Sequence, residues 1–245
     1  MNLDGQRVLI TGGSSGLGQR LVVVFCELGA RVAFNYASNE AGAAETERAA
    51  RAFSGDVRAF KQSVLDVAGL RASIGTLEAE WGGIDVLVNN AGISQALPVA
   101  LLEEEDWDRV FDVNVKGAYL TTRAVLKGMI RRRGGRILNI GSLAGVRLIE
   151  APVHYAASKA AIKGLTESLA KEVGRYGITV NSLAPGLLEG GVAAGLPDYR
   201  LHAYLQHCPL GRLGTFDEVA RLAAFMVSDA NRYMTGFTLV ADGGL

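Results

Sequence analysis

The chain has 245 residues, of which 49% are hydrophobic and 20% charged, a balance that excludes disorder as the main state and suits one α/β domain over residues 1–245. Its 25 basic residues equal its 25 acidic ones, so no global field directs it to nucleic acid or to an anionic membrane surface. Two cysteines are too few for a disulfide framework, and the opening Met1-Asn2-Leu3-Asp4-Gly5 has none of the basic and apolar character of a secretory signal, which makes the cytoplasm the expected compartment.

Apolar runs then alternate with amphipathic stretches. Residues 7–10 predict a short buried strand, 19–28 a helix closed by Gly29, and 31–35 a second strand. An Ala- and Glu-rich helix over 39–53 precedes a strand over 57–64, a helix over 67–81 and a strand over 84–88. Helical stretches over 101–110 and 113–133 lead to a strand over 136–140, a long helix over 155–176 and a strand over 178–181. Residues 187–208 break every periodicity and predict an irregular lid loop, because long loops inside compact domains are usually functional. A helix over 216–228 and a strand over 237–240 finish the chain. This rhythm predicts a doubly wound parallel sheet of about seven strands, with helices on both faces, in a single Rossmann-type domain. The strands lack polar alternation, as burial on both faces requires. Trp81 and Trp107 fall at apolar helical positions and are expected in the core, as is Cys26.

Glycine is over-represented, 31 residues against roughly 17 at average usage, and its placement is informative. Thr11-Gly12-Gly13-Ser14-Ser15-Gly16-Leu17-Gly18 joins the first strand to the first helix. Gly12, Gly16 and Gly18 permit a tight turn and a close backbone approach, and a helix N-terminus behind them offers free N–H groups to a pyrophosphate. Ser14, Ser15 and Leu17 complete that dinucleotide cradle. At the end of the second strand Asn35, Tyr36 and Ser38 stand where a carboxylate would select NAD. Asn35 and Ser38 can donate to a 2′-phosphate, which favours NADP(H) over NAD(H); the alternative is that they only shape the turn.

Further along come Asn89-Asn90-Ala91-Gly92, Ser142, Tyr155-Ala156-Ala157-Ser158-Lys159 and Pro185-Gly186. With the glycine loop, this ordered set resembles the short-chain dehydrogenase/reductase family over essentially the whole chain. Gly211-Arg212-Leu213-Gly214 and the ending Asp242-Gly243-Gly244 make it most similar to the 3-oxoacyl-[acyl-carrier-protein] reductases within that family. Tyr155 and Lys159 are four residues apart and share a helix face. A cation beside a phenol favours its ionised form, so Tyr155 is the expected proton donor to a carbonyl oxygen, with Ser142 holding that oxygen and Lys159 also holding the nicotinamide ribose. The resemblance adds Asn114 as the seat of a proton-relay water, the alternative being a capping or kink residue. It also places Ser63 and Val64 by the adenine, Asn90, Ala91 and Gly92 along the dinucleotide, and Pro185, Gly186 and the Leu188 backbone at the nicotinamide end.

Departures from the pattern are specific. Ser15 stands where relatives often carry Arg for a 2′-phosphate, Ser63 where they usually carry Asp, and Gly190 where many carry Thr. Arg133 matches one of two cations expected to dock an acidic carrier protein, and the second position is Tyr176. The cluster Arg131-Arg132-Arg133 is expected beside the active-site edge, with an ordinary charged helix end as the alternative. His154, His202 and His207 have no metal-ligand spacing and are expected to line a pocket or lie on the surface. The resemblance implies an NADPH-dependent ketoreductase of a small-molecule or carrier-bound 3-oxoacyl substrate, working as a homotetramer without nucleic acid, membrane or metal. A dehydrogenase of a sugar, steroid or other secondary alcohol is the alternative enzyme, and a cofactor-binding regulator the alternative outside enzymes.

Overall fold

Side-chain alternation in the strands explains the layering. In β1 (Arg7–Ile10), Val8 and Ile10 point to one face, where they meet Leu21 and Phe25 of α1 (Gly16–Glu27). Leu9 points to the other, where it joins Ile74, Leu77 and Trp81 of α3 (Val67–Trp81). Both faces are buried, which is why the strand reads as continuously apolar. The computed structural model describes residues 2–147 and 149–245. Its seven strands all run parallel: β1, β2 (Arg31–Tyr36), β3 (Val57–Lys61), β4 (Val86–Asn89), β5 (Gly135–Ile140), β6 (Ile178–Pro185) and β7 (Thr238–Ala241). Their order is 3-2-1-4-5-6-7. The remaining helices are α2 (Glu40–Arg51), α4 (Glu104–Phe111), α5 (Gly117–Arg132), α6 (Val153–Val173), α7 (Asp198–His207) and α8 (Phe216–Met226). The order reverses between β1 and β4, so the chain leaves these two strands in opposite directions and a crevice opens beyond their carboxyl ends.

Local signals set the helix ends. Asn39 caps α2 by accepting the Gly42 N–H at 3.0 Å, and Asp66 caps α3 by accepting the Gly69 N–H at 3.0 Å. Thr215 and Glu218 form a reciprocal capping box at α8. Gly82 ends α3 in the left-handed conformation, which glycine adopts without steric cost.

Four expectations are corrected. β3 ends at Lys61, because the Ser63 hydroxyl and carbonyl accept the Leu65 and Asp66 N–H groups and turn the chain. The stretch over 187–208 is not irregular throughout: it contains a 3₁₀ turn, Gly191–Gly195, and the ten-residue α7. None of the residues of α7 is fully buried, but Leu201, Tyr204 and Leu205 form a half-buried apolar stripe at i, i+3 and i+4 that the sequence reading missed. Trp107 is not core; it is 37% exposed and stacks on Phe111 at 4.8 Å between ring centroids. The helix expected over 113–133 begins instead with a π-helical turn, Asp112–Lys116, before α5. Trp81 and Cys26 are buried as expected, and burial pushes the Cys26 thiol up to about 12. Among the described residues no helix is long and apolar enough to cross a membrane.

Gly18 sets the approach of α1 to the β1 loop. A Cβ there would lie 2.0 Å from the Gly12 carbonyl oxygen and 2.6 Å from Asn90 Nδ2, and a backbone oxygen cannot yield as a side chain can. Gly18→Ala is therefore expected to destabilise the protein by about 1–3 kcal/mol, seen as a Tm lowered by roughly 2–10 °C, and to weaken dinucleotide binding. An unchanged Tm would refute this packing.

Candidate active site

Thr11 holds the crevice together. Its N–H donates to the Val88 carbonyl at 3.0 Å, and its hydroxyl oxygen accepts the N–H groups of Asn90 and Ala91, each at 3.0 Å. Asn90 returns its amide N–H to the Thr11 and Gly12 carbonyls at 2.9 and 3.2 Å. The ends of β1 and β4 are thus stitched side by side. Sequence reasoning missed Thr11, although its hydroxyl beside the first glycine of the loop was a visible signal.

The glycine loop fits a dinucleotide phosphate. Gly12 and Gly16 have φ of +71° and +53°, and a Cβ on Gly12 would lie 2.9 Å from Ala91 Cα. Ser15 stands at the N-cap of α1 in extended conformation without a side-chain cap bond, and the first turn holds no acidic residue. The first N–H groups of α1 are therefore left to an anion, where the helix dipole favours one. Asn39 closes the loop from the α2 side by donating to the Ser14 carbonyl at 3.1 Å, a second contact the sequence reading missed.

Asn35 requires correction as a phosphate donor. It is 3% exposed, and its side-chain oxygen accepts the Gly12 N–H at 3.0 Å while its carbonyl accepts the Gly13 N–H at 2.9 Å. It shapes the glycine turn. Ser38 is exposed just beyond β2, and Lys61 lies opposite Tyr36 in the β2–β3 register, its ammonium paired with Glu40. Ser63 is half-buried, and the Val64 side chain packs where a Cβ on Gly117 would stand.

At the other side of the crevice, β5 and α6 bring the catalytic candidates together. Ser142 follows β5; its hydroxyl accepts the Ala144 N–H at 3.2 Å and stands close enough to the Tyr155 phenol to act on its ionisation. Gly145 lets the Ser142 turn rest on α6, since a Cβ there would lie 2.5 Å from the Lys159 carbonyl carbon. Burial pushes the Tyr155 phenol above its ordinary value, and the Ser142 hydroxyl pulls it partly back. The expected net lowering by Lys159 is thus corrected: in this environment desolvation is the larger effect. Lys159 is 6% exposed, its Nζ donates to the Ile140 carbonyl at 2.8 Å and stands 5.8 Å from the Tyr155 ring centroid. Burial pulls this ammonium down to about 8.

Asn114 takes the kink position considered for it. It lies in the π-helical turn, the kind of helix irregularity that often marks a functional site. Its side-chain oxygen accepts the Ile93 N–H at 2.8 Å, while its amide N–H donates to the Ile93 carbonyl and to Ser158 Oγ, each at 3.0 Å. Ser158 donates in turn to the Tyr155 carbonyl at 2.7 Å. Gly92 lies against this group: a Cβ there would be 3.2 Å from Asn114 Oδ1 and 3.5 Å from Lys159 Nζ. Pro185 is the last residue of β6 and Gly186 follows it. Leu188 pairs with Gly214 through its neighbours, leaving its own N–H and carbonyl unbonded among the described residues.

Two placements differ from expectation. Arg133 ends α5 with φ +52° and donates to the Arg175 carbonyl at 3.3 Å. It therefore stands at the amino-terminal edge of β5, a six-residue strand whose other end carries Ser142, about 20 Å away at roughly 3.3 Å per residue. The basic cluster is not beside the active-site edge. Arg131 and Arg132 are also engaged, with Glu78 and with the Ile84 carbonyl. His154 neither lines a pocket nor lies on the surface. It is fully buried, and neither ring nitrogen has a partner among the described residues.

Comparison with known proteins agrees with this geometry. The profile of the family described as "Enoyl-(Acyl carrier protein) reductase" matches residues 12–245. The 3-oxoacyl-[acyl-carrier-protein] reductase FabG of Vibrio harveyi is 37% identical over 100% of this chain and 99% of its own length, and its namesake from Escherichia coli K12 is 35% identical over the same shares. A putative short-chain alcohol dehydrogenase from Sinorhizobium meliloti has the same fold with a TM-score of 0.94 at 35% identity, over 99% of this chain and 97% of that one. A mutant short-chain dehydrogenase/reductase of Serratia marcescens superposes with a TM-score of 0.92 at 32% identity, over 100% and 99%. With a glycine loop on one side of the crevice and Ser142, Tyr155 and Lys159 on the other, the chain belongs to the short-chain dehydrogenase/reductase family of oxidoreductases acting on CH–OH and C=O groups.

Proposed function

We propose that the protein is an NADPH-dependent ketoreductase that converts a carrier-linked 3-oxoacyl thioester to its 3-hydroxyacyl form in fatty-acid or polyketide-type synthesis. The carrying observation is the grouping of Ser142 after β5 with Tyr155 and buried Lys159 on α6, the Lys159 ammonium 2.8 Å from the Ile140 carbonyl and 5.8 Å from the Tyr155 ring centroid, in a chain similar over its full length to 3-oxoacyl reductases. A ketone oxygen is the acceptor these hydroxyls suit. NADPH is supported by the absence of a carboxylate at the end of β2, by exposed Ser38, and by Lys61 next to Tyr36. Exposed aromatic side chains on α4 and α5 (Trp107, Tyr119) and on α8 and near β7 (Phe225, Tyr233, Phe237) support a homotetramer, and the expected compartment is the cytoplasm. A secondary-alcohol dehydrogenase is the second reading, favoured by the Sinorhizobium neighbour's description and by the distance of Arg133 from the crevice.

When bound, the nicotinamide supplies the hydride that reduces the carbonyl carbon. Ser142 orients the carbonyl oxygen by hydrogen bonding, and Tyr155 donates its phenolic proton to that oxygen. The phenolate left behind is stabilised by Lys159 and Ser142, a charge that burial would otherwise disfavour. The peptide group of Ile140 fixes the ammonium, and Asn114 fixes the start of α6 through Ser158 and the Tyr155 carbonyl. Gly12, Gly16 and the free N–H groups of α1 hold the phosphates, and the Leu188 backbone offers a donor and an acceptor at the nicotinamide end.

Tyr155→Phe is expected to lose at least about 10²-fold in turnover while keeping cofactor affinity; near-normal activity would sink the mechanism. Turnover of acetoacetyl thioester with NADPH should exceed that of free ketones, sugars and a crotonyl thioester. Preference for free ketones would favour the second reading, and preference for the crotonyl thioester would indicate C=C reduction. Lys61→Met should weaken NADPH and spare NADH, read as KM for each.

Lys159 also makes a stability prediction. Its ammonium has a value of about 8 when folded and 10.5 as a free side chain, so burial disfavours the charged form by about 3 kcal/mol as an upper figure. Between those pH values the unfolded chain binds a proton that the folded chain has lost, so this residue's contribution to stability rises with pH. Below about pH 8 the penalty is fully present. Lys159→Met should therefore raise Tm at pH 7, and the difference from the wild type should shrink towards pH 10. A difference independent of pH would show that the ammonium is not desolvated.

A further inference from the structure

We infer that Tyr204, on the lid helix α7, is a positioning residue for the nicotinamide end of the crevice. This rests on the reading of residues 185–188 as that end. The Tyr204 phenol oxygen accepts the Leu187 N–H at 2.9 Å. It sits directly against Gly186: a Cβ there would lie 2.3 Å from the phenol oxygen and 3.0 Å from Asp242 Cα. Gly186 donates to the Ala241 carbonyl at 2.9 Å, so the phenol is seated on a backbone already tied to β7.

The segment is gripped from the other side as well. Gly214 donates to the Leu187 carbonyl at 3.1 Å and accepts the Glu189 N–H at 2.8 Å. With both backbone groups of Leu187 used, rotation of the Leu187–Leu188 peptide is restricted, and the unbonded N–H and carbonyl of Leu188 are held in one orientation. A carboxamide needs one donor and one acceptor, and Leu188 presents that pair. Tyr204 is the one contact in this arrangement that comes from a side chain of the lid helix.

Arg200 lies one turn earlier on α7, on the same face, and pairs with Glu150 at 2.6 Å. Glu150 stands on the segment leading into α6 and Tyr155. The lid helix is thus pinned at the cofactor loop by Tyr204 and at the opposite wall by Arg200. The two pins separate experimentally, because only the first touches residues 185–188.

The test compares binding of NADPH with that of 2′-phospho-ADP-ribose, which lacks only the nicotinamide, by calorimetry on the wild type, Tyr204→Phe and Arg200→Gln. The wild type should bind NADPH more tightly than the truncated ligand. Tyr204→Phe should weaken NADPH by about 3–10-fold, the scale of one net hydrogen bond, with a matching loss in kcat/KM and no change for 2′-phospho-ADP-ribose. Arg200→Gln should leave both affinities unchanged. Equal loss of both ligands in Tyr204→Phe, no loss of either, or the same NADPH-specific loss in Arg200→Gln would overturn the inference. A wild type that binds both ligands equally would overturn the assignment of residues 185–188 itself. Independently of any variant, the Leu187 amide of the wild type should exchange slowly with solvent, and exchange at the open-chain rate would also refute the bond.

Discussion

A charge held out of water is the constraint on which the site depends. The Lys159 ammonium has the Ile140 carbonyl as its hydrogen-bond partner among the described residues, and an ammonium desolvated to this degree is unfavourable on its own. What keeps it there is the covalent geometry of α6 and the close packing around it. Gly145 brings the Ser142 turn against the Lys159 backbone, Gly92 leaves room beside Nζ, and Asn114 anchors the first turns of α6 through Ser158. The fold gives up stability to hold this cation, and in the proposed mechanism it is needed when Tyr155 gives up its proton.

The same economy governs the cofactor side. Free N–H groups at the start of α1 are an anion site because no side chain caps them, and the loop before them is shaped by neighbours, not by its own sequence alone. Asn35 from β2, Asn39 from the start of α2 and Thr11 with Asn90 from the β1–β4 junction each bond the loop backbone. Beneath both halves runs a buried polar chain, Thr122–Asn89–Asn139–Thr166, which ties α5, β4, β5 and α6 through side-chain hydrogen bonds. Such a network fixes the relative register of the elements that carry Asn114, Ser142 and Tyr155, because its members tolerate few alternative arrangements.

The lid differs in kind. It contributes no buried residue from α7 and is held by polar contacts at its two ends. An element attached in this way opens at lower free energy than the core elements, which suits a segment that must admit a substrate. Its inner contact reaches Leu187 and its outer one Glu150 ahead of α6.

The sequence by itself determined the doubly wound sheet, because strands buried on both faces must be continuously apolar and their helices must alternate with them. It also placed Tyr155 and Lys159 on one helix face, because residues four apart on a helix are neighbours, and Ser142 just after a strand. Tertiary structure alone decided what depends on direction. Asn35 turns inward to the Gly12 N–H, since only the folded loop shows which group that side chain meets. Arg133 falls at the far edge, since a helix leading into a parallel strand must end where that strand begins. Trp107 lies outside and the apolar stripe of α7 is only half-buried, because burial is a property of the surfaces brought together. Apolar character and periodicity record which residues could be buried, whereas the partner of a polar side chain is chosen by segments distant in the chain, and no local pattern encodes it.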